Sequence, residues 1–600
     1  MDKNTITGLF LIMIVLAGSF YFFKPSDAEI KKERERIAAD SAKKAGVSPA
    51  SAPAVTAPVA PVVDSAALAG PFGTNITGTA QTNILENDKL KITLTNKGGK
   101  IQSVTVKGQK TYSGKPVVLF DGDQNKFGLN LNIGGKMFNT NDLYFTAVPG
   151  NNTVTMRANY SADKHIEFIY DLKPNSSQVG FNINLNGLNQ VIQGNNIALN
   201  WEATLLEQEK SSKKEQEHSA PYYKYLEKNP DHLNVAKDEE EELKEGKIEW
   251  FSFKQHFFSA VLIPAVPFDN GKLAVKVSTE PGKIKWYSAT MQMPFNQLAA
   301  QNYSMNFYFG TNKFSTLKEQ GHELEKQVDM GYWPLKYINR FVVLPVFNWL
   351  EGFGWSYGLI ILLLTIALKV AMSPLTYKSY LSMAKMRILK PEMDEIKAKV
   401  GEDNPTLLQQ EYLKLYKQVG VNPLGGCLPM LLQLPFVMAF FFFFPNLFEL
   451  RGESFLWMKD LSTYDDFIKF GFNIPFIGDH LSLMCVLMTI STLIYTYFNN
   501  QISGATGQMK YIGYIMPIIF LGVLNSYPSG LNYYYFLANM LTFAQQFLIK
   551  SMVDDEKIHK TLQDNKAKPV EKKKKSGFSA KLDEYMRQQQ QAAAQQKKNK

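Results

Sequence analysis

The chain has 600 residues and carries 65 Lys and Arg against 55 Asp and Glu, a formal net charge of +10. That length calls for more than one domain. Its two cysteines, Cys427 and Cys485, both lie in apolar runs, and its seven histidines are scattered with no HExxH pattern and no close pair, which argues against a disulfide framework, a cysteine metal site and a catalytic metal.

Residues 6–23, ITGLFLIMIVLAGSFYFF, form a run of 18 residues, long enough to span a bilayer. A cleaved signal peptide is the alternative. The run exceeds a usual signal core and YFFKPSD offers no small-x-small cleavage site, so residues 1–24 read as a transmembrane anchor. Residues 25–80 read as a linker, first charged in both signs and then rich in Ala, Pro, Ser and Val over 47–67, which suits an extended chain.

From 81 to 325 the hydrophobic period becomes two. KLKITLTNKGGKIQSVTV alternates Leu90, Ile92 and Leu94, turns at NKGG and resumes at Val104 and Val106. GFNINLNG alternates Phe181, Ile183 and Leu185, and NYSMNFYFG alternates Tyr303, Met305, Phe307 and Phe309. Such a pattern predicts many short strands with one face on a core, a β-sandwich. The charged stretch 207–247 reads as a solvated loop or insertion.

Residues 332–351, YWPLKYINRFVVLPVFNWLE, mix aromatic, apolar and basic side chains. The mixture suits a helix lying in a membrane interface, and a plain connector fits it equally. Residues 352–550 hold five further apolar runs, near 353–372, 427–447, 481–498, 511–527 and 531–549, each of about spanning length. Together with the first run, six spans are expected. Lysine and arginine crowd 378–420 and the tail, whereas the loop 449–480 holds three basic against six acidic residues. The positive-inside rule then places both termini in the cytoplasm and 81–325 outside. Lys24, Lys31, Lys32, Arg34 and Arg36, which follow the first run, go against that rule.

Within 378–420, Met386, Leu389, Met393, Ile396 and Val400, and then Leu408, Tyr412, Leu415 and Val419, recur at spacings of three and four on either side of GEDNP. The pattern predicts a cytoplasmic hairpin of two antiparallel helices, the first kinked at Pro391. Two separate amphipathic helices on the membrane surface are the alternative. The tail 551–600 is basic, ends in QQQQAAAQQKKNK and is predicted to be disordered, with lipid head groups or ribosomal RNA as suitable anionic partners.

GWSYG (354–358) matches the G-x-S-x-G elbow of serine hydrolases, but it opens an apolar run and no histidine is near it in sequence, so Ser356 is not expected to be a nucleophile. The polar residues inside the apolar runs say more. Thr365 and Lys369 are one turn apart on one helix face. Gln433 sits between Pro429 and Pro435, and Asn525, Asn532, Asn539, Gln545 and Gln546 accompany Tyr533, Tyr534 and Tyr535. In lipid such groups need partners inside a helix bundle or a wet cavity. A lysine in such a run costs about 2.5–3.5 kcal/mol on insertion scales. Lys369 therefore either snorkels to the interface or shares a hydrated pocket with these groups.

MSPLTYKSYLSMAKMRILKPEM, VNPLGGCLPMLLQLPF and YPSGLNYYYFLANMLTFAQQ strongly resemble the YidC membrane protein insertase family over about 340–550. The order of anchor, large β domain and five-span core resembles its Gram-negative form. The resemblance implies a polytopic α-helical membrane bundle plus an all-β periplasmic supersandwich, similar to sugar-binding folds and largely dispensable for insertion. It implies an inner-membrane protein that is not an enzyme, needs no cofactor or metal, and works as a monomer. The implied partners are nascent membrane proteins, the ribosome, the general secretion (Sec) channel and the lipid bilayer. The implied site is a hydrophilic groove open to the cytoplasm and to lipid, containing a cation. That cation is usually arginine; here Lys369 stands in its place, keeping the charge but losing the planar, multi-donor fork. Thr365, Gln433, Tyr535 and Asn532 match the groove lining, and Leu434, Val437, Val523 and Leu524 match an apolar slide for client helices. Two other readings stay open: a transporter with Lys369 as counter-ion for an anionic solute, and a membrane-anchored glycan-binding protein whose β domain is the active part.

Overall fold

The computed structural model describes residues 70–401, 405–421, 428–503 and 508–567. The expected anchor 1–24, the linker up to residue 69 and the tail beyond 567 lie outside the described residues. The chain divides into two units, Met1–Gln327 and Val328–Lys600.

Alternation builds the first unit, which consists of antiparallel sheets of four, nine and six strands. In the nine-stranded sheet, Gln178–Asn186 buries Val179, Phe181, Ile183 and Leu185 and turns its intervening side chains outward. Its register sets Phe181 opposite Met305 on one side and Tyr170 on the other. In the six-stranded sheet, Asn196–Leu206 does the same with Ile197, Leu199, Trp201, Ala203 and Leu205. Trp201 meets Phe253 and Phe307 of the nine-stranded sheet, so the core lies between the two inner faces. Its indole N–H is not left bare: Nε1 donates to Asn125 Oδ1 at 3.0 Å. In the four-stranded sheet, Leu90–Thr95 and Lys100–Lys110 pair through a turn with Gly98 and Gly99 at φ +83° and +61°, a region that β-carbons disfavour.

The stretch 207–247 is not the solvated loop its charge predicts. It holds a short helix, Ser212–Glu217, and the strands Ala220–Tyr225, Asp231–His232 and Glu239–Leu243. Ala220–Tyr225 is buried throughout, carrying Tyr222, Tyr223 and Tyr225 into the fold, and Tyr223 satisfies its hydroxyl by donating to Glu241 at 2.9 Å. Glu239–Leu243 is an edge strand of the six-stranded sheet, where Glu240 pairs with Lys272 at 2.5 Å. Charge on an edge strand is a device against stray pairing, so a dense charge run does not exclude a strand there.

The second unit is mainly helical. Leu335–Ile338, a π-helical turn Asn339–Val343 and Leu344–Glu351 run on from one another. One face buries Leu335, Val343, Leu344, Phe347 and Leu350, and the other exposes Tyr337, Phe341 and Trp349. Then come α1 (Tyr357–Ile388), α2 (Lys390–Val400), α3 (Pro405–Val419), α4 (Leu428–Asn446), α5 (Leu483–Ser503), α6 (Gln508–Leu524), α7 (Ser529–Met552) and α8 (Asp555–Ala567). Among the described residues, α1 is the helix long and apolar enough to cross a membrane, while Gln433–Asn446 and Ile512–Leu524 are shorter apolar segments. α7 packs on both α1 and α5, and α6 packs on α5.

Two expectations are corrected here. Pro391 kinks no helix: α1 ends at Ile388, and Pro391 sits in the first turn of α2, where a missing N–H leaves no bond unmade. The tail is not disordered from 551 onward, because α7 runs to Met552 and α8 follows. Ile558 and Leu562, four residues apart, give α8 an apolar stripe that joins Leu389, Leu415, Val419 and Val421 in a small core. The lysine-rich composition of the segment as a whole concealed this short stripe.

Candidate functional site

Thr365 and Lys369 of α1 point into the helical unit. Thr365 is fully buried, its hydroxyl donating to the Ile361 carbonyl at 2.6 Å. One turn on, Lys369 is only 6% exposed. Its Nζ donates to Thr542 Oγ1 on α7 at 2.6 Å, and its carbonyl accepts from Gln545 Nε2 at 3.0 Å. Burial is what acts on this amine; no charged group among the described residues offsets it. An ammonium so placed keeps one neutral partner and has donors left over.

Its partner belongs to a stripe. Asn532, Tyr535, Asn539, Thr542 and Gln546 recur along α7 at spacings of three and four, so they share one face. Tyr535 donates to the Val437 carbonyl on α4 at 3.4 Å. Asn539 donates to Ser491 Oγ at 3.0 Å and to Thr492 Oγ1 at 2.8 Å, both on α5. Asn532 donates to the Leu524 carbonyl at 3.1 Å, and its Oδ1 is buried with no partner among the described residues. α7 thus reaches α1, α4, α5 and the end of α6 through a single polar seam. Thr542, Ser491 and Thr492 were not singled out by sequence reasoning. The heptad-like spacing running through Tyr535 and Asn539 was the signal that would have found Thr542.

Comparison with known proteins accounts for almost the whole chain. Residues 349–557 match the family model described as 60Kd inner membrane protein, and residues 84–344 match the YidC periplasmic domain. A protein of Bacteroides fragilis named membrane protein insertase YidC is 39% identical over 609 residues, covering 98% of each chain. The protein of that name from Parabacteroides distasonis is 37% identical over 624 residues, again with 98% of each chain covered. The chain belongs to the YidC membrane protein insertase family. It is accordingly an inner-membrane family member whose all-β unit is the YidC periplasmic domain.

The remaining positions that the sequence led one to expect in a groove and a slide are placed as follows. Gln433 and Val437 are half-buried on α4. Leu434 and Val523 are 54% and 50% exposed, whereas Leu524 is buried and its carbonyl accepts from the Asn532 amide. The four positions expected to form a slide therefore divide into two that are exposed and one that is buried, with Val437 between. Asn525 serves the fold instead: its amide donates to the carbonyls of Ile477 and His480 at 2.8 and 2.7 Å, and its oxygen accepts from Ser482 N at 2.9 Å. Ser356 caps the start of α1 through its backbone, the Ile360 N–H reaching its carbonyl at 3.0 Å. Gly358 gives Phe455 room to lie on the helix, since a β-carbon there would stand 2.2 Å from the ring. Within GWSYG, packing thus accounts for Gly358.

Proposed function

We propose that this protein inserts and helps fold integral membrane proteins by assisted partitioning without ATP, with Lys369 as the receiving cation. The observation that carries the reading is the buried Lys369 amine, held among the described residues by the Thr542 hydroxyl and by no carboxylate. A client segment bearing carboxylates exchanges for that hydroxyl and gains a Coulombic partner in a medium of lower dielectric than water. The polar seam of α7 lowers the desolvation cost of the segment's backbone. The client's apolar helix passes along Leu434, Val437, Val523 and Leu524 into lipid, driven by its own burial at about 25 cal/mol per Å2. The site lowers a barrier and supplies no net driving force.

In this reading the chain spans the membrane six times, with both termini in the cytoplasm and the β unit in the periplasm, and its groove is open to cytoplasm and lipid. It acts as a monomer, alone or with the general secretion channel. The α2–α3 hairpin and the basic tail dock the ribosome. The test is cross-linking from positions 369, 434 and 523 to a ribosome-stalled nascent membrane protein, alongside deletion of residues 81–325. Adducts at all three positions and insertion that survives the deletion are expected. Absent adducts at 369, with insertion abolished by the deletion, would overturn the assignment in favour of a role seated in the β domain.

A further inference from the structure

The proposed activity makes no use of the hairpin formed by Ile468–Ile474 and Gly478–Leu481. An isolated two-stranded hairpin is at best marginal in water. This one also carries bare hydrophobes: Phe467, Phe472 and Phe476 are 62%, 66% and 92% exposed. Ile468, Phe470, Phe472 and Ile474 recur at every second residue, with the rings of Phe470 and Phe472 at 6.1 Å. Phe476 is held at φ +70°, a conformation costly for a bulky side chain, and it presents its ring outward from the turn.

The turn is tied down at a particular level. Asn525 clamps Ile477, His480 and Ser482 to the end of α6. The Phe476 carbonyl lies 2.7 Å from where a Gly522 β-carbon would stand, so the hairpin tip folds back along the last turn of α6. Gly522 is three residues before Asn525, a rise of about 4.5 Å into the apolar run. Around that point Ile518, Ile519, Phe520 and Val523 of α6 are also exposed, and the apolar surface of the helix continues onto the tip.

We infer that this hairpin is a lipid anchor: Phe476, with Phe472 and Phe467, seats in the boundary between head groups and acyl chains of the leaflet at the Leu524 end of α6. Phenylalanine is among the side chains that interfacial segments bury at the boundary of head groups and acyl chains, and the hairpin is positioned to hold the outward-facing Val523 region at a set level in the bilayer. The inference rests on the reading that α6 lies within the membrane, and the test separates the two.

In a full-length Cys427→Ser, Cys485→Ala background, single cysteines at Phe472, Asn473, Phe476 and Ile518 are labelled with an environment-sensitive fluorophore. The protein is reconstituted in phosphatidylethanolamine–phosphatidylglycerol vesicles. Probes at 472 and 476 should lose quenching by aqueous iodide and be quenched by a spin label near the head group more than by one deep in the acyl chains. The probe at 473 should stay open to iodide, and that at 518 should respond to the deep label. Adding Gly522→Val should push the tip out and restore iodide access at 476; no change would overturn the proposed seat. If 476 is as open to iodide as 473 while 518 is lipid-quenched, the anchor is wrong and the membrane reading stands. If 518 is open to iodide as well, the membrane reading itself fails. Shielding at 476 that develops only when a stalled nascent chain is bound would assign the surface to clients and refute a lipid anchor.

Discussion

The Lys369 ammonium on α1 donates to the Thr542 hydroxyl on α7 at 2.6 Å, and the Gln545 amide on α7 returns a bond to the Lys369 carbonyl at 3.0 Å. Two consequences can be told apart. Lys369→Ala removes the cation and should abolish most insertion of clients with acidic translocated segments, while Lys369→Arg should preserve it. Thr542→Val keeps the cation but removes its hydroxyl partner, a hydrogen bond to a charged group worth about 1.5–3 kcal/mol, so insertion should drop slightly and thermal stability clearly. Protease protection of a radiolabelled client in proteoliposomes reads the first effect, and melting in detergent the second. Equal insertion by Lys369→Ala, Lys369→Arg and the parent would remove Lys369 from the mechanism.

The docking of α8 allows a decision between charge and burial. Arg387 reaches both oxygens of Asp555 at 2.9 and 2.7 Å, but these side chains are 26% and 55% exposed, and such a pair is worth roughly 0–1 kcal/mol. Leu562 is 2% exposed within the cluster formed with Leu389, Leu415 and Val419, and truncating a buried leucine costs about 2–5 kcal/mol. Leu562→Ala should therefore free Asp555–Ala567 and Asp555→Asn should barely loosen it. Hydrogen exchange of the α8 amides is the measurement: protection in the parent, near-complete loss in Leu562→Ala, and little change in Asp555→Asn. The reverse order would show that electrostatics holds the helix.

Legibility in the sequence followed how much of each element's stabilisation is local. Strands such as Gln178–Asn186 announce themselves because every second side chain is buried and the register needs nothing else. Ala220–Tyr225 does not, because with both faces buried it shows no alternation at all. Lys369 and Thr365 stood out as polar residues in an apolar run, since the lipid-like surroundings supply the contrast. Thr542 did not stand out, because α7 is rich in polar residues and only its pairing with a helix 173 positions away distinguishes one hydroxyl from another. α8 was missed for a related reason: its two apolar residues mean little until Leu389, Leu415 and Val419 are brought alongside by the rest of the chain.

Gly358 and Gly354 offer a paired test of packing against backbone freedom at the start of α1. A β-carbon on Gly358 would lie 2.2 Å from the Phe455 ring, which itself leans on Tyr533 with ring centres 5.2 Å apart. Gly358→Ala should displace that ring and destabilise the helical unit by about 1–3 kcal/mol, as overpacking does. Gly354 has open space around it and only a positive φ of +69°, so Gly354→Ala should cost about 1–2 kcal/mol through backbone strain without moving Phe455. Thermal melts give the two costs. Access of a maleimide to a Met458→Cys reporter beside Phe455 should rise in Gly358→Ala alone.

Lys285, in the β unit, makes stability depend on alkaline pH in a direction that can be worked out. It is fully buried, and its Nζ donates to the carbonyls of Ser219 at 2.5 Å and Val235 at 2.8 Å. Burial, reinforced by the nearby Lys254 ammonium, pushes its pKa down from the usual 10.5 to about 8. Between those two values the unfolded chain holds a proton that the folded chain has released, so this residue's contribution makes stability rise with pH across that window. Below the lower value both states are protonated, and the cost of burying the charge is present in full and independent of pH. Lys285→Met keeps the length of the side chain and should abolish this rise while stabilising the β unit at neutral pH. Lys254→Met should move the midpoint of the rise upward by removing the neighbouring charge. Difference melts of full-length parent and variants from neutral to alkaline pH test both expectations, and identical pH slopes for the parent and Lys285→Met would exclude Lys285 as the source.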